Sequence, residues 1–367
     1  MRGVVWFRRD LRLADHPALS AACEECDEII PLFVFDDPLL CGQTFGAACV
    51  GFMLGCLQEL ASSLAGRGIT LQWRRGEPVA EVVEAAREWK ADVVYWNRDY
   101  EPGAIERDRA VQQRLAQSGI TARTFKDHVV FEAEEIRGAT GDPLQRYSAY
   151  RSRWWTQWHA AKPMALAVPE ALSAAKAVRL LSPAPLPSAG DLGYGAATPW
   201  IEPGERIARE RLRRFLDGPI HTYVNGRNLP AIDGTAKLSP HFRFGTLSPR
   251  AAVHEALAAL SKGGRVSRAD VLTWIDELIW REFFQQVLSA FPHVANGPFR
   301  HVAVPPVREP GAERDRLFQA WCEGKTGYPI VDAGMRQLNQ TGWMHNRVRM
   351  VVASFLIKDL QIGRARV

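Results

Sequence analysis

Cysteine is scarce in this chain, with six in 367 residues. That is too few for the disulfide framework of a small secreted domain. Cys23 and Cys26 form one C-x-x-C with no second pair behind it, and Cys41, Cys49 and Cys56 lack metal-ligand spacing. Reduced thiols in a helix or core are therefore expected, and no metal site. Long apolar runs are also missing. The β-rich run at residues 29–35 falls far short of the roughly 20 residues of a membrane helix. Arg8, Arg9 and Asp10 follow Met1 with no apolar stretch behind them, a pattern that argues against a secretory or twin-arginine signal. A cytoplasmic, monomeric protein without a membrane anchor is the expectation. Common catalytic signatures are absent too. Gly324-Lys325-Thr326 suggests a phosphate-binding loop, but Gln319 stands where that motif needs glycine, and there is no G-x-S-x-G, H-E-x-x-H or complete dinucleotide fingerprint.

Hydrophobic residues make up 47% and charged residues 24%, enough to build cores for about two domains. Tryptophan is abundant, at 12 residues, and the net charge of +5 is unevenly spread. Residues 201–367 hold 24 Lys and Arg against 16 Asp and Glu, whereas residues 1–200 hold 22 against 25. A basic, Trp-rich second half points to an acidic partner such as nucleic acid.

Over the first 125 residues two periods alternate. Short β-rich runs fall at 4–7, 29–35, 69–73, 92–96 and 121–125, with helical patterns at 16–25, 47–65, 78–89 and 104–117. This order predicts an α/β domain with a doubly wound parallel sheet over residues 1–130. Ligands of such sheets lie at the carboxyl ends of the strands, which places Arg8, Asp10, Asp36 and Arg98 near a possible site. Residues 131–200, rich in Ala, Pro, Ser and Gly toward their end, read as an interdomain linker. From 201 onward the period is helical, with candidates at 205–216, 249–259, 269–290, 314–322, 329–341 and 344–360, giving an all-α domain.

Three segments of the helical half concentrate unusual chemistry. Thr235-Ala236-Lys237-Leu238-Ser239-Pro240 sets hydroxyls and a lysine at a helix start, a turn able to cradle phosphate or simply to cap. In the segment from Trp274 to Phe284, Glu277, Arg281 and Phe284 share a helix face, with Trp280 three residues after Glu277. Such a carboxylate beside an indole can bond a base edge while the ring stacks, or belong to a buried amphipathic helix. Gly342-Trp343-Met344-His345-Asn346-Arg347-Val348-Arg349-Met350 makes a poor generic core but suits a mixed polar and stacking pocket.

Together these segments resemble the photolyase/cryptochrome family, most closely its class I cyclobutane pyrimidine dimer branch. The opening Val4-Val5-Trp6-Phe7-Arg8-Arg9-Asp10 and the later Glu323-Gly324-Lys325-Thr326-Gly327-Tyr328-Pro329 match it as well, so the resemblance runs through essentially the whole chain. It implies an N-terminal antenna domain and a C-terminal helical domain that holds FAD, with light-dependent repair of pyrimidine dimers in DNA by electron transfer from reduced FAD. By match to the family motifs, Tyr223, Thr235, Ala236, Lys237, Leu238, Ser239, Trp274, Glu277, Arg281, Trp343, Asn346 and Arg349 contact the cofactor. Ala236 stands where a hydroxyl is often found. Glu277, Trp280, Asn346 and Met350 meet the flipped dimer, and Arg227 and Arg347 face DNA. A second, antenna chromophore is implied without its identity; the Asn-Glu pair of folate-binding members is missing near residues 100–108, leaving a deazaflavin or none.

The sequence departs from the family pattern over residues 361–367, and the resemblance implies further helices beyond that point. The chain therefore reads as a C-terminally truncated photolyase whose helical domain lacks its last part. Arg349 is expected to lose its acidic partner, at a cost of several kcal/mol if buried. Arg364 and Gly311 stand at two positions where the family places the tryptophans of a light-driven electron relay. Two alternatives stay open: a cryptochrome-type blue-light receptor and an inactive photolyase fragment.

Overall fold

The computed structural model describes residues 1–42, 45–173, 176–178, 185–261, 267–300 and 307–363. Arg364 lies outside them. The α/β half runs β1 (Arg2–Phe7), α1 (Pro17–Glu25), β2 (Glu28–Asp36), α2 (Asp37–Cys41), α3 (Ala47–Ala65), β3 (Gln72–Gly76), α4 (Pro78–Glu88), β4 (Val93–Asn97), α5 (Pro102–Gln117) and β5 (Thr121–Phe125). All neighbouring strands pair in parallel in the order β3-β2-β1-β4-β5. Helices on both faces bury the strands twice, so β1, β2 and β4 read as near-continuous apolar runs. Helix starts follow ordinary capping. His16 Nδ1 accepts the Leu19 N–H at 3.0 Å ahead of Pro17, and Glu77 accepts from Val79 and Ala80 ahead of Pro78.

One strand sits three residues later than its β-rich pattern. Ile69 and Leu71 are buried, but they lie in the turn that enters β3, and pairing with β2 begins at Leu32–Gln72. Helix α3 alone among the described helices is long and apolar enough to cross a membrane. Its Val50, Phe52, Cys56, Leu57, Leu60 and Leu64 instead pack into the core that covers one face of the sheet. All six cysteines are free thiols, and burial pushes Cys23 up to about 11, the condition of an unreactive thiol.

The stretch that composition marks as linker contains α6 (Tyr147–Ala161), followed by α7 (Glu205–Asp217), α8 (Tyr223–Gly226), α9 (Ser239–Phe244), α10 (Pro249–Ser261), α11 (Arg268–Ala290), α12 (Ala312–Glu323), α13 (Pro329–Thr341) and α14 (Asn346–Ser354). Among the described residues no strand interrupts these helices. Tyr150, Trp154 and Trp158 of α6 join the core built on α7, α10 and α11. Glu282 of α11 ties it there: it accepts from Val130 N–H at 2.6 Å, Phe131 N–H at 3.2 Å, and Tyr150 Oη and Trp154 Nε1 at 2.9 Å each. Helix α14 starts at Asn346 rather than 344 because His345 caps it, accepting the Arg347 N–H. It ends at Ser354, where a wider turn spans Phe355–Asp359. Its apolar face is mostly covered: Val348, Val352, Phe355 and Leu356 share a small core with Trp321, Val331, Met335 and Met344.

The charges at the carboxyl ends of the strands are mostly paired within residues 1–132, and Asp15 reaches across to the helical half. Arg8 pairs with Asp108, Arg12 with Asp127, and Asp15 with Arg250 at 2.6 Å. Asp10 bonds His16 at 3.0 Å and Asn97 at 2.7 Å, and Arg98 pairs with Glu132 at 2.8 Å. Asp36 caps α2. Leu11 N–H donates to Phe244 O at 3.0 Å, and Gly245 follows with φ +64°. An added Cβ there would meet Arg9 O at 1.9 Å, so only glycine allows this approach.

Candidate active site

Helices α8, α9, α11 and α14 and the 234–239 turn enclose a cavity of about 580 Å³, within the usual size range of cofactor sites. Its lining includes Tyr223, Arg227, Thr235, Ala236, Lys237, Leu238, Ser239, Trp274, Glu277, Arg281, Trp343, Asn346, Arg347 and Arg349. Three separate sequence segments thus converge on one space. Trp280 and Met350 are not in the lining. Met350 is 57% exposed, with Sδ 3.6 Å from an Arg347 guanidinium nitrogen. Trp280 stands one turn beyond Glu277 on α11, its ring parallel to Tyr147 with centroids 3.5 Å apart.

Each wall follows from local chemistry. The 235–239 turn enters α9 with Lys237 in the left-handed region at φ 51°. The Lys237 ammonium pairs with Asp233 at 2.7 Å and lies over the rings of Trp200 and Trp343, 5.1 and 5.8 Å from their centroids. Glu277 pairs with Arg227 at 2.7 Å. Arg347 Nε donates to Asn228 Oδ1 at 2.8 Å, so two arginines reach the rim from different elements. Trp274 is buried, tilted against Phe215. Arg349 is exposed and makes no ion pair among the described residues. The cost expected for a buried, unpartnered arginine therefore does not arise, because water solvates this one.

The floor carries the strongest ligand signal. Arg281 donates to two backbone carbonyls, His128 O at 2.6 Å and Phe242 O at 3.4 Å, and to no carboxylate among the described residues. Burial lowers it to about 10, still protonated at neutral pH. Gln285 Oε1 is buried without a partner, and Gln285 lines the same cavity. A buried cation with no direct carboxylate contact and an unsatisfied acceptor in one cavity suit a ligand with anionic and donor groups, as FAD has.

Sequence reasoning missed several wall residues. Arg9, Glu101 and Arg243 close the cavity on the side of the sheet, where Glu101 takes both guanidinium groups at 2.6 Å. Arg9 lies in the opening motif and Glu101 in the family-like 100–108 segment, so motif membership was the available signal for both. The 323–332 segment, in contrast, serves structure. Asp332 accepts from Thr326 N–H at 2.7 Å, Thr326 Oγ1 at 2.6 Å and Gly327 N–H at 3.0 Å, pinning the turn after α12.

A doubly wound sheet joined to a helical half with a basic, indole-walled cavity defines a two-part ligand-binding protein of the α/β-plus-α type. Residues 3–170 match the family model described as DNA photolyase, and residues 274–366 match the FAD binding domain of DNA photolyase. The chain belongs to the DNA photolyase family. It is 40% identical to a deoxyribodipyrimidine photo-lyase of Synechococcus sp., over 98% of this chain and 75% of that one. It is 36% identical to the enzyme of that name from Agrobacterium fabrum, over 98% and 73%. The chain thus spans about three quarters of the length of these relatives. Among solved structures it superposes on a bacterial class III photolyase from Agrobacterium tumefaciens with TM-score 0.83 and 33% identity, covering 99% of this chain and 73% of that one. It also superposes on a Synechocystis cryptochrome with TM-score 0.87 and 26% identity, covering 100% and 77%.

Proposed function

We propose that this protein is a deoxyribodipyrimidine photolyase, a lyase that repairs cyclobutane pyrimidine dimers in DNA under light, with FAD as its cofactor. The observation that carries the reading is the single cavity that gathers Glu277, Arg227, Asn346 and Arg347 at its rim above Trp274, Lys237 and Arg281. Tyr223 and the 235–239 turn would hold the phosphates, with Lys237 offsetting their charge. Trp274, Arg281, Trp343 and Asn346 would flank the rings. FAD, when bound and reduced, supplies the light-driven electron that opens the cyclobutane ring.

The chain's own residues do the positioning. A dimer stacks and pairs poorly, so its extrusion from the duplex costs less than that of normal bases. Arg227 and Arg347 then meet backbone phosphate. Glu277 has two carboxylate oxygens, and one Arg227 nitrogen engages Oε1, so the other is open to a pyrimidine imide N–H. Trp280, at the rim, offers an indole face to the extruded base, and Met350 an adaptable apolar contact. The basic balance of residues 201–367 favours duplex DNA and makes the affinity salt-sensitive.

A second antenna chromophore belongs to this reading without an identity. The test is a thymine-dimer oligonucleotide, FAD-loaded reduced protein and blue light. Dimer loss in light alone, abolished or slowed at least tenfold by Glu277→Ala, is expected; no loss with FAD demonstrably bound overturns the assignment. The cryptochrome-type receptor is the second reading, favoured by the fold match to the Synechocystis protein. Preferential binding of damaged over undamaged duplex rejects it.

A further inference from the structure

We propose that Tyr147 is a positioning residue that sets the pose of Trp280, and so decides which indole face an extruded pyrimidine meets. The inference rests on the stacking role given to Trp280 above. The two rings have centroids 3.5 Å apart and planes 7° apart, which is van der Waals contact over the full face. At that separation the indole cannot turn about its ring torsion without driving into the phenol. The stacked face is also shut to water and to any base. Trp280 nevertheless stays 36% exposed, so part of the indole outside the Tyr147 stack still meets solvent.

Tyr147 is itself firmly held. Its hydroxyl donates to Asp276 O at 3.0 Å, and Arg151, one turn on, pairs with Asp276 at 2.6 Å. Further along the same helix, Tyr150 and Trp154 bond Glu282. Asp276 directly precedes Glu277, so the support of the indole and the rim carboxylate are fixed to one turn of α11. Phe283 and Phe284 close in at 5.8 and 5.5 Å between centroids. The result is a pre-ordered platform whose rotamer freedom is already lost before DNA arrives. Without the phenol ring, that freedom is lost only on binding, and lesion affinity falls.

The experiment uses the full FAD-loaded chain in the dark, at fixed salt. Fluorescence anisotropy measures affinity for a duplex with one thymine dimer and for the same duplex undamaged. Tyr147→Ala is expected to weaken lesion binding about five- to tenfold, a fraction of one base–aromatic stack, and to leave undamaged binding unchanged. Tyr147→Phe, which keeps the ring and loses only the hydroxyl, restores the wild-type ratio. Tyr147→Leu, which fills the space without a plane, behaves like the alanine variant. A wild-type ratio in Tyr147→Ala or Tyr147→Leu, while Trp280→Ala loses it, overturns the proposal and leaves the role of Trp280 standing. Equal losses on both duplexes also overturn it, because they mark a merely structural residue. An undiminished ratio in Trp280→Ala refutes the stacking role itself, and the proposal with it.

Discussion

Glu282 offers a sharp test of how α6 is held. It is 2% exposed, and burial pushes its carboxyl up to about 7 from 4.5, against four donors that pull it down. A carboxyl raised on folding favours the folded state while protonated, and that contribution is lost as pH rises through the folded value. The full shift corresponds to about 3 kcal/mol, of which about 2 kcal/mol falls between pH 5 and pH 7.5. Glu282→Gln keeps the shape and removes the titration. Aspartates 10, 15 and 99 lie low in both proteins, so their loss of stabilisation toward acid cancels in the comparison. Urea unfolding of both proteins, followed by tryptophan fluorescence at the two pH values, reads the difference directly, and Trp154 sits on the carboxylate. The stability gap is expected to favour wild type by about 2 kcal/mol more at pH 5 than at pH 7.5. A gap that is independent of pH refutes the reasoning and means that the four donors outweigh burial.

Three further outcomes follow from the same contacts. Gly245→Ala is expected to cost about 3 kcal/mol or more, seen as a lower Tm, because its φ and the 1.9 Å approach of Arg9 O both exclude a side chain. Lys237→Met is expected to raise the Kd for FAD about tenfold in a fluorescence titration, the loss of one charge-assisted phosphate contact. Arg347→Ala is expected to weaken binding of damaged and undamaged duplex alike and to flatten the plot of log affinity against log salt by about one unit.

Much of the fold was legible in the sequence because its signals are local. Strands buried on both faces read as apolar runs, and proline at N1 with a polar cap marks α1 and α4. The convergence of Tyr223, Thr235, Glu277 and Trp343 was legible only through motif resemblance, since spacing along the chain says nothing of which helices meet. Helix α6 was hidden by its surroundings, a stretch whose later Pro and Ala residues dominate the composition. Tyr147, Tyr150, Trp154 and Trp158 at helical spacing were the signal that could have found it. Pairing decided β3, where apolar Ile69 and Leu71 serve the preceding turn rather than the strand. The strand-end charges looked like a ligand site by the general rule for open sheets, but here Arg8, Asp10 and Arg98 are taken up by Asp108, His16 and Glu132, and Asp36 caps α2. The exposure of Arg349 depends on which elements cover the cavity mouth, a tertiary matter that no local pattern encodes.

The central claim is that the cavity floored by Arg281 and walled by Trp274 and Trp343 is a flavin site. The most direct measurement is the FAD content of the purified full chain after incubation with saturating FAD and gel filtration. The account predicts about one FAD per chain, with the flavin absorption band retained through the column and lost in an Arg281→Met variant that remains folded by circular dichroism. A folded wild-type chain that carries no flavin after that treatment would contradict it.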